Sequence, residues 1–167
     1  MEEKKWFAVY TKPRWEKKVD GLLLKNSIES WCPVQKVTKQ WSDRKKVIEE
    51  PLFRSYVFVH IYEKDMLSVK KIDGVLNFVY YLNKPAVIRN EEIEIIKRYL
   101  GEKDVMLSLQ SLNGFKEEDR VKVTHGVFMD KIGSVVKASK KKVYVKLKSL
   151  EQILIVEFSS AHLDPLL

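Results

Sequence analysis

The chain has 167 residues, 45% of them hydrophobic and 32% charged, which is enough for one domain or two small ones of ordinary globular make-up. One cysteine excludes an internal disulfide, and no apolar run approaches the roughly 20 residues that span a bilayer. The net charge of +8 favours a polyanionic partner without naming one, because Lys and Arg displace counterions from phosphates.

In chain order, Met1 to Lys5 lacks the apolar core of a secretory leader, so a cytoplasmic protein is expected. Trp6–Tyr10 is apolar and β-prone and predicts a buried strand. Thr11-Lys12-Pro13 ends it. A helix is expected from about Arg14, with Pro13 at its start and Trp15, Val19, Leu22 and Leu23 on one face, closing at Asn26 or Ser27. Lys17, Lys18 and Lys25 fall outside that stripe.

A strand from Trp31 to Val37 then runs into the basic stretch Thr38–Lys46. That stretch holds a lone Trp41 and a turn at Ser42-Asp43, and it reads as a projecting hairpin or loop with Val47-Ile48 returning. Tyr56–Ile61 is a further strand, Glu63–Ile72 a short helix ended by Asp73-Gly74, and Val75–Tyr80 another strand. Asn83-Lys84-Pro85 breaks the chain. Asn90 suits the start of a helix whose face carries Ile93, Ile96 and Leu100. The order β-α-β-β-β-α-β-α implies an α+β domain, a mainly antiparallel sheet flanked by helices, over residues 1–105.

Residues 106–114 are rich in Ser, Gln, Asn and Gly and are the expected linker, although Leu107, Leu109 and Leu112 can pack on either side. Short strands at Arg120–Thr124, Gly133–Ala138, Val143–Leu147 and Ile153–Phe158 make residues 115–167 an expected all-β, small barrel.

Catalysis finds no support in these residues. Cys32 lies in an apolar stretch and reads as a buried small hydrophobe. His60, His125 and His162 form no triad pattern, and neither Cys-x-x-Cys nor His-x-x-x-His occurs, so no metal and no cofactor are expected. A Gly-rich phosphate loop is also absent. Glu91-Glu92 and Glu117-Glu118 are adjacent in sequence and need not converge.

Two stretches carry a resemblance. Val121-x-Val123-x-x-Gly126-x-Phe128-x-x-x-x-Gly133-x-Val135 resembles the KOW motif, in which Gly126 allows a tight turn and Gly133 a bend in a barrel strand. Trp6–Tyr10, the basic helix after it, Pro51-Leu52-Phe53-x-x-Tyr56-Val57-Phe58-Val59, Gly74-Val75, Phe78-Val79 and Pro85 resemble the N-terminal (NGN) domain of NusG-type transcription factors. The two occur in the family's order over nearly the whole chain. Housekeeping members carry Pro-Gly before the tyrosine where this chain has Arg54-Ser55, a form closer to specialised paralogues such as RfaH and the UpxY antiterminators.

The resemblance implies a non-enzymatic, monomeric elongation or antitermination factor. Its N-terminal domain would hold the clamp helices of RNA polymerase through Tyr10, Phe53, Tyr56, Phe58 and Phe78, with core packing as the competing role of these aromatics. On a strand, Tyr56 and Phe58 share one side and Val57 and Val59 the other. Lys12, Arg14, Lys17, Lys18 and Lys25 would face upstream or non-template DNA, and the Lys36–Lys46 stretch with Trp41 also suits nucleic acid. The SH3-like KOW barrel would recruit ribosomal protein S10 or Rho through Phe128, flanked by Met129 and Ile132. A barrel rather than a helical C-terminal form is expected, because Val135, Val136, Val143 and Val145 favour strand. The alternatives are a housekeeping NusG coupling polymerase to Rho or the ribosome, and a ribosome-associated RNA-binding protein.

Overall fold

Trp6, Phe7, Ala8 and Val9 are consecutive and all buried, so the strand that carries them must be covered on both faces. In the computed structural model, which describes residues 2–101, 105–111, 121–123, 131–132, 135–138, 142–158 and 163–165, this strand is β1 (Lys5–Thr11). It is followed by α1 (Glu16–Lys25), β2 (Ser30–Trp31), β3 (Val34–Gln40), β4 (Lys45–Pro51) and β5 (Tyr56–Ile61). A 3-10 turn (Glu63–Asp65) leads into α2 (Met66–Lys70), then come β6 (Val75–Phe78), β7 (Tyr80–Tyr81), β8 (Lys84–Pro85) and β9 (Val87–Ile88). The chain divides into two compact units, residues 1–90 and 91–167.

The first unit is built on a sheet of order β2-β5-β1-β6, with β9 also pairing β1. Along one edge β1 runs antiparallel to β5, from Lys5 opposite Ile61 to Tyr10 opposite Tyr56. Along its other edge β6 and β9 follow one another, with Val9 opposite Phe78 and Trp6 opposite Ile88. One face of the sheet presents Phe7, Val9, Val57, Val59 and Phe78 to a core closed by Val19 and Leu23 of α1 and Val69 of α2. The apolar stripe expected of the first helix is therefore the face that α1 buries.

The helix begins at Glu16 rather than near Arg14. Arg14 is left-handed (φ 65°) and Trp15 is also non-helical, so Pro13 precedes a turn instead of opening the helix. The expected hairpin is present as β3 and β4, paired from Val34 opposite Pro51 to Gln40 opposite Lys45, and it forms a sheet of its own.

The boundary falls at the first residue of α3 (Asn90–Leu100), which buries Ile93, Ile96 and Tyr99. Residues 106–111, expected to open a linker, belong instead to β10 (Val105–Ser111). Its alternating leucines explain the difference: Leu107 and Leu109 lie opposite Val156 and Leu154, and Leu107 is buried. The later strands are β11 (Val121–Val123), β12 (Lys131–Ile132), β13 (Val135–Ala138), β14 (Lys142–Leu147), β15 (Gln152–Phe158) and β16 (Leu163–Pro165). They form two antiparallel sheets, β10-β15-β14-β13 and β12-β11-β16. The regular elements described beyond residue 115 are these strands and a 3-10 turn (Lys148–Leu150), where the Ser149 N–H donates to the buried Glu92 carboxylate of α3 at 3.0 Å. Much of the stretch expected to form an SH3-like barrel, including residues 112–120, 124–130 and 139–141, lies outside the described residues.

Gly74 fixes how closely α1 approaches the sheet. It has φ 90°, and a Cβ there would stand 2.6 Å from the Trp15 ring and 2.7 Å from a Val19 methyl. Its carbonyl accepts the Lys12 N–H at 2.9 Å, so this backbone is held on both sides. Gly74→Ala is expected to cost about 2 kcal/mol or more from overpacking and a left-handed alanine together. A urea unfolding titration would read this as a lower midpoint with a similar slope.

Candidate functional site

The sheet face opposite α1 and α2 carries a chain of aromatic rings. Trp6 stacks on His60 (4.7 Å), Trp31 packs on Phe58 (5.9 Å), and Phe53 meets Phe58 edge-on (5.1 Å). Phe53 also stacks on Tyr56 (6.4 Å), which meets Tyr10 edge-on (4.9 Å). Tyr56 and Phe58 share this side, while Val57 and Val59 enter the helix-covered core, as the strand alternation implies. The row ends in solvent at Tyr10, which is 38% exposed.

The five aromatic candidates do not make one exposed surface. Phe58 is fully buried and Phe53 nearly so, and both serve as packing for their neighbours. Phe78 lies in the opposite core, edge-on to Phe7 at 6.0 Å. Their packing role therefore dominates here, because both faces of this sheet are covered. Tyr10 and the half-buried Tyr56 remain, with the Tyr56 hydroxyl donating to the Tyr10 oxygen at 3.4 Å. Burial first, and then the Tyr10 hydroxyl, push the Tyr56 phenol well above its usual range, so it stays a protonated donor.

The turn before β5 places Tyr56. Ser55 is left-handed (φ 62°), its N–H donates to the buried Glu16 carboxylate at 2.7 Å, and its carbonyl accepts the Thr11 N–H at 2.8 Å. A helix residue and the end of β1 thus hold the peptide groups on either side of Ser55, and Tyr56 emerges beside Tyr10. Neither Glu16 nor Ser55 was visible as a site residue in the sequence. A lone Glu in a helix's first turn looks like an ordinary dipole partner. The signal at position 55 is its departure from the Pro-Gly that the resemblance leads one to expect there.

The basic candidates divide among different settings. Lys12 and Lys18 both lie over the Trp15 indole, at 4.7 and 3.8 Å from its centroid, and Lys12 also faces Asp73 at 3.6 Å. Lys17 donates to the Glu49 carbonyl at 2.9 Å. Arg14 lines an open cleft of about 570 Å³ with Lys17, Arg54, Glu49 and Glu50, so the cleft is mixed in charge. Lys25 stands exposed in the last turn of α1. Lys12, Lys18 and Trp15 are brought together; Lys17 and Arg14 turn toward the base of the hairpin.

Elsewhere in the same unit, Tyr80, Tyr81 and Leu82 form an exposed apolar tip at the β7–β8 turn. Leu82 and Asn83 there are both left-handed, as primed hairpin turns require. Sequence reading missed this tip because Leu-Asn is a poor signal for such a turn. Burial pushes the Cys32 thiol up to about 12, which keeps it an inert core residue. For Glu29, burial alone would raise the carboxyl, but His60 (3.0 Å) and Lys4 (3.5 Å) beside it outweigh that and hold it below its usual range. Among the described residues, no three His, Cys, Asp or Glu side chains converge as a metal site, and no helix is long and apolar enough to cross a membrane. Of the C-terminal candidates, Ile132 lies in β12 opposite Lys122, while Phe128 and Met129 fall outside the described residues.

Comparison with known proteins adds three findings. Residues 4–97 match the family model described as transcription termination factor nusG. The transcription termination/antitermination proteins NusG of Borreliella burgdorferi and Bacillus subtilis are 23% and 28% identical, over 95% and 94% of this chain and 97% of each relative. The solved structure of Thermotoga maritima NusG superposes with a TM-score of 0.59 at 23% identity, covering 98% of both chains, which establishes likeness of fold.

Ser55→Gly retains both backbone hydrogen bonds and removes the cost of a left-handed non-glycine residue, about 1–2 kcal/mol, against a smaller loss from glycine's freedom in the unfolded chain. The variant is expected to gain about 0.5–1 kcal/mol. Its urea midpoint checks this.

Proposed function

Because the chain belongs to the NusG family of transcription elongation and termination factors, which are not enzymes, we propose that it rides on RNA polymerase as a cytoplasmic, monomeric antitermination factor. The Tyr10–Tyr56 pair would seat on the coiled coil of the clamp helices. The observation that supports this most is the aromatic row itself. Rigid rings buried at one end and open at the other offer a preorganised anchor of the kind that dominates interface energetics. In this reading Phe53 and Phe58 act from beneath, by fixing the Tyr56 ring, and Phe78 acts through the core.

Lys12, Lys18 and Lys25, with Arg14 and Lys17 at the corner of the cleft, would meet the phosphates of upstream or non-template DNA. The C-terminal unit would work as a KOW module recruiting ribosomal protein S10 or Rho through Phe128, Met129 and Ile132. Arg54-Ser55 in place of Pro-Gly supports an operon-specific role over the housekeeping one, since it retains a left-handed residue at a turn where selection for stability alone favours glycine.

The test is capture of core RNA polymerase by the full chain and by Tyr10→Ala/Tyr56→Ala. Both side chains reach solvent, so the double variant is expected to fold. It should lose about tenfold or more in affinity, as an anchor worth at least 1.4 kcal/mol would. Binding equal to wild type by a folded variant would exclude this patch.

A further inference from the structure

The cleft beside the Ser55 turn is lined by cations and acids alike, but these charges are not equally available. Glu16 is buried and accepts the Ser55 N–H at 2.7 Å. Glu49 is engaged by Lys17, through its carbonyl at 2.9 Å and its carboxylate at 3.9 Å, and Glu50 is paired with Lys39. Arg54 differs from all of these. It is exposed, and among the described residues no hydrogen bond, ion pair or ring contact engages its guanidinium. The backbone beneath it is nonetheless fixed on both sides. Leu52 and Phe53 before it are buried, and the Leu52 N–H donates to the Pro33 carbonyl at 2.8 Å. Ser55 after it is held by Glu16 and Thr11. Arg14 is also exposed in this cleft, but it belongs to the turn that opens α1, whereas Arg54 belongs to the turn that presents Tyr56.

We propose that Arg54 is a specificity-determining contact of the Tyr10–Tyr56 anchor, taking a carboxylate that the polymerase coil carries beside the side chains seated on the two tyrosines. The inference rests on the polymerase reading above and adds to it the chemistry of the partner. An arginine next to exposed tyrosines has the make-up of an interface hot spot, and its planar fork holds a carboxylate through two parallel hydrogen bonds. The fixed backbone lowers the cost of ordering the side chain on binding. The neighbouring acids argue against nucleic acid as the occupant. A phosphate backbone carries a charge about every 3.4 Å along each strand, so it would press further anions against Glu49 and Glu50. A single carboxylate meets Arg54 alone. The same acids repel a carboxylate that arrives out of register, which turns the contact into a selection of partner as well as an attraction.

The experiment is a titration of the full chain against core RNA polymerase stripped of nucleic acid, at low and at high salt. Arg54→Gln should weaken binding about tenfold at low salt, as the loss of a charge-assisted hydrogen bond would. Arg54→Glu should weaken it further, and its excess over Arg54→Gln should shrink as salt screens the repulsion. Arg54→Lys keeps the charge without the fork and should fall between wild type and Arg54→Gln. Each variant should melt with wild type, because the side chain is exposed. A labelled DNA duplex should bind wild type and Arg54→Glu alike. If Arg54→Glu binds polymerase as wild type does while Tyr10→Ala/Tyr56→Ala does not, the proposal is overturned and the polymerase reading stands. If wild type itself fails to bind, both fall. An equal loss of duplex affinity in Arg54→Glu would assign the guanidinium to phosphates instead. A loss that follows a lowered melting temperature would make Arg54 a structural residue and overturn the proposal as well.

Discussion

Everything in the first unit depends on β1 being covered on both faces. It pairs with β5 along one edge and with β6 and β9 along the other, and its four residues Trp6 to Val9 are buried. Once such a strand is central, the two faces must differ in use. The side of Phe7 and Val9 is sealed by α1 and α2 and supplies stability. The side of Trp6 and Ala8 is sealed by aromatic rings, and that packing runs outward until it reaches solvent at Tyr10. The candidate anchor is therefore the open end of a core, which holds it rigid at little entropic cost on binding.

Two backbone corners set the geometry of that open end. Gly74 lets Trp15 and Val19 approach the sheet, and Ser55 joins Glu16 of α1 to Thr11 of β1 through its own N–H and carbonyl. Both residues are left-handed, the first where a side chain does not fit and the second where one is strained. The same corner orders the cations. Lys12 and Lys18 flank the Trp15 indole because the helix starts after the turn, not within it. The ribbon rises from the other side of this corner, tied to α1 through Lys17 and Glu49. The exposed aromatics and the cations around Trp15 thus share one set of supports.

Much of this was legible in the chain. The apolar run Trp6–Tyr10, the stripe of α1, the β5 alternation and the glycines among the short C-terminal strands are local patterns. Each is fixed by period and by turn chemistry within a few residues. They determined the α+β character of the first unit, the positions of β11, β13, β14 and β15, the hairpin and the resemblance to the family. The inert role of Cys32 also followed from its neighbours.

What the tertiary structure alone decided concerns burial and handedness. Alternation says that Tyr56 and Phe58 share a side, but not that the side is covered around Phe58 and open at Tyr10; that depends on Trp31 and Phe53, which are distant in sequence from β1. Likewise Phe78 entered the helix-covered core, and residues 105–111 became a strand only because β15, some fifty residues on, pairs with them. The left-handed turns at Arg14 and Ser55 carry no glycine to announce them; the first is spanned by the Trp15 N–H to Lys12 carbonyl bond and the second is held by Glu16 and Thr11. The sequence by itself determined which elements form, because that is settled by short-range periodicity. Which of their side chains face water was left to long-range packing, because the cover over a residue is supplied by other parts of the chain.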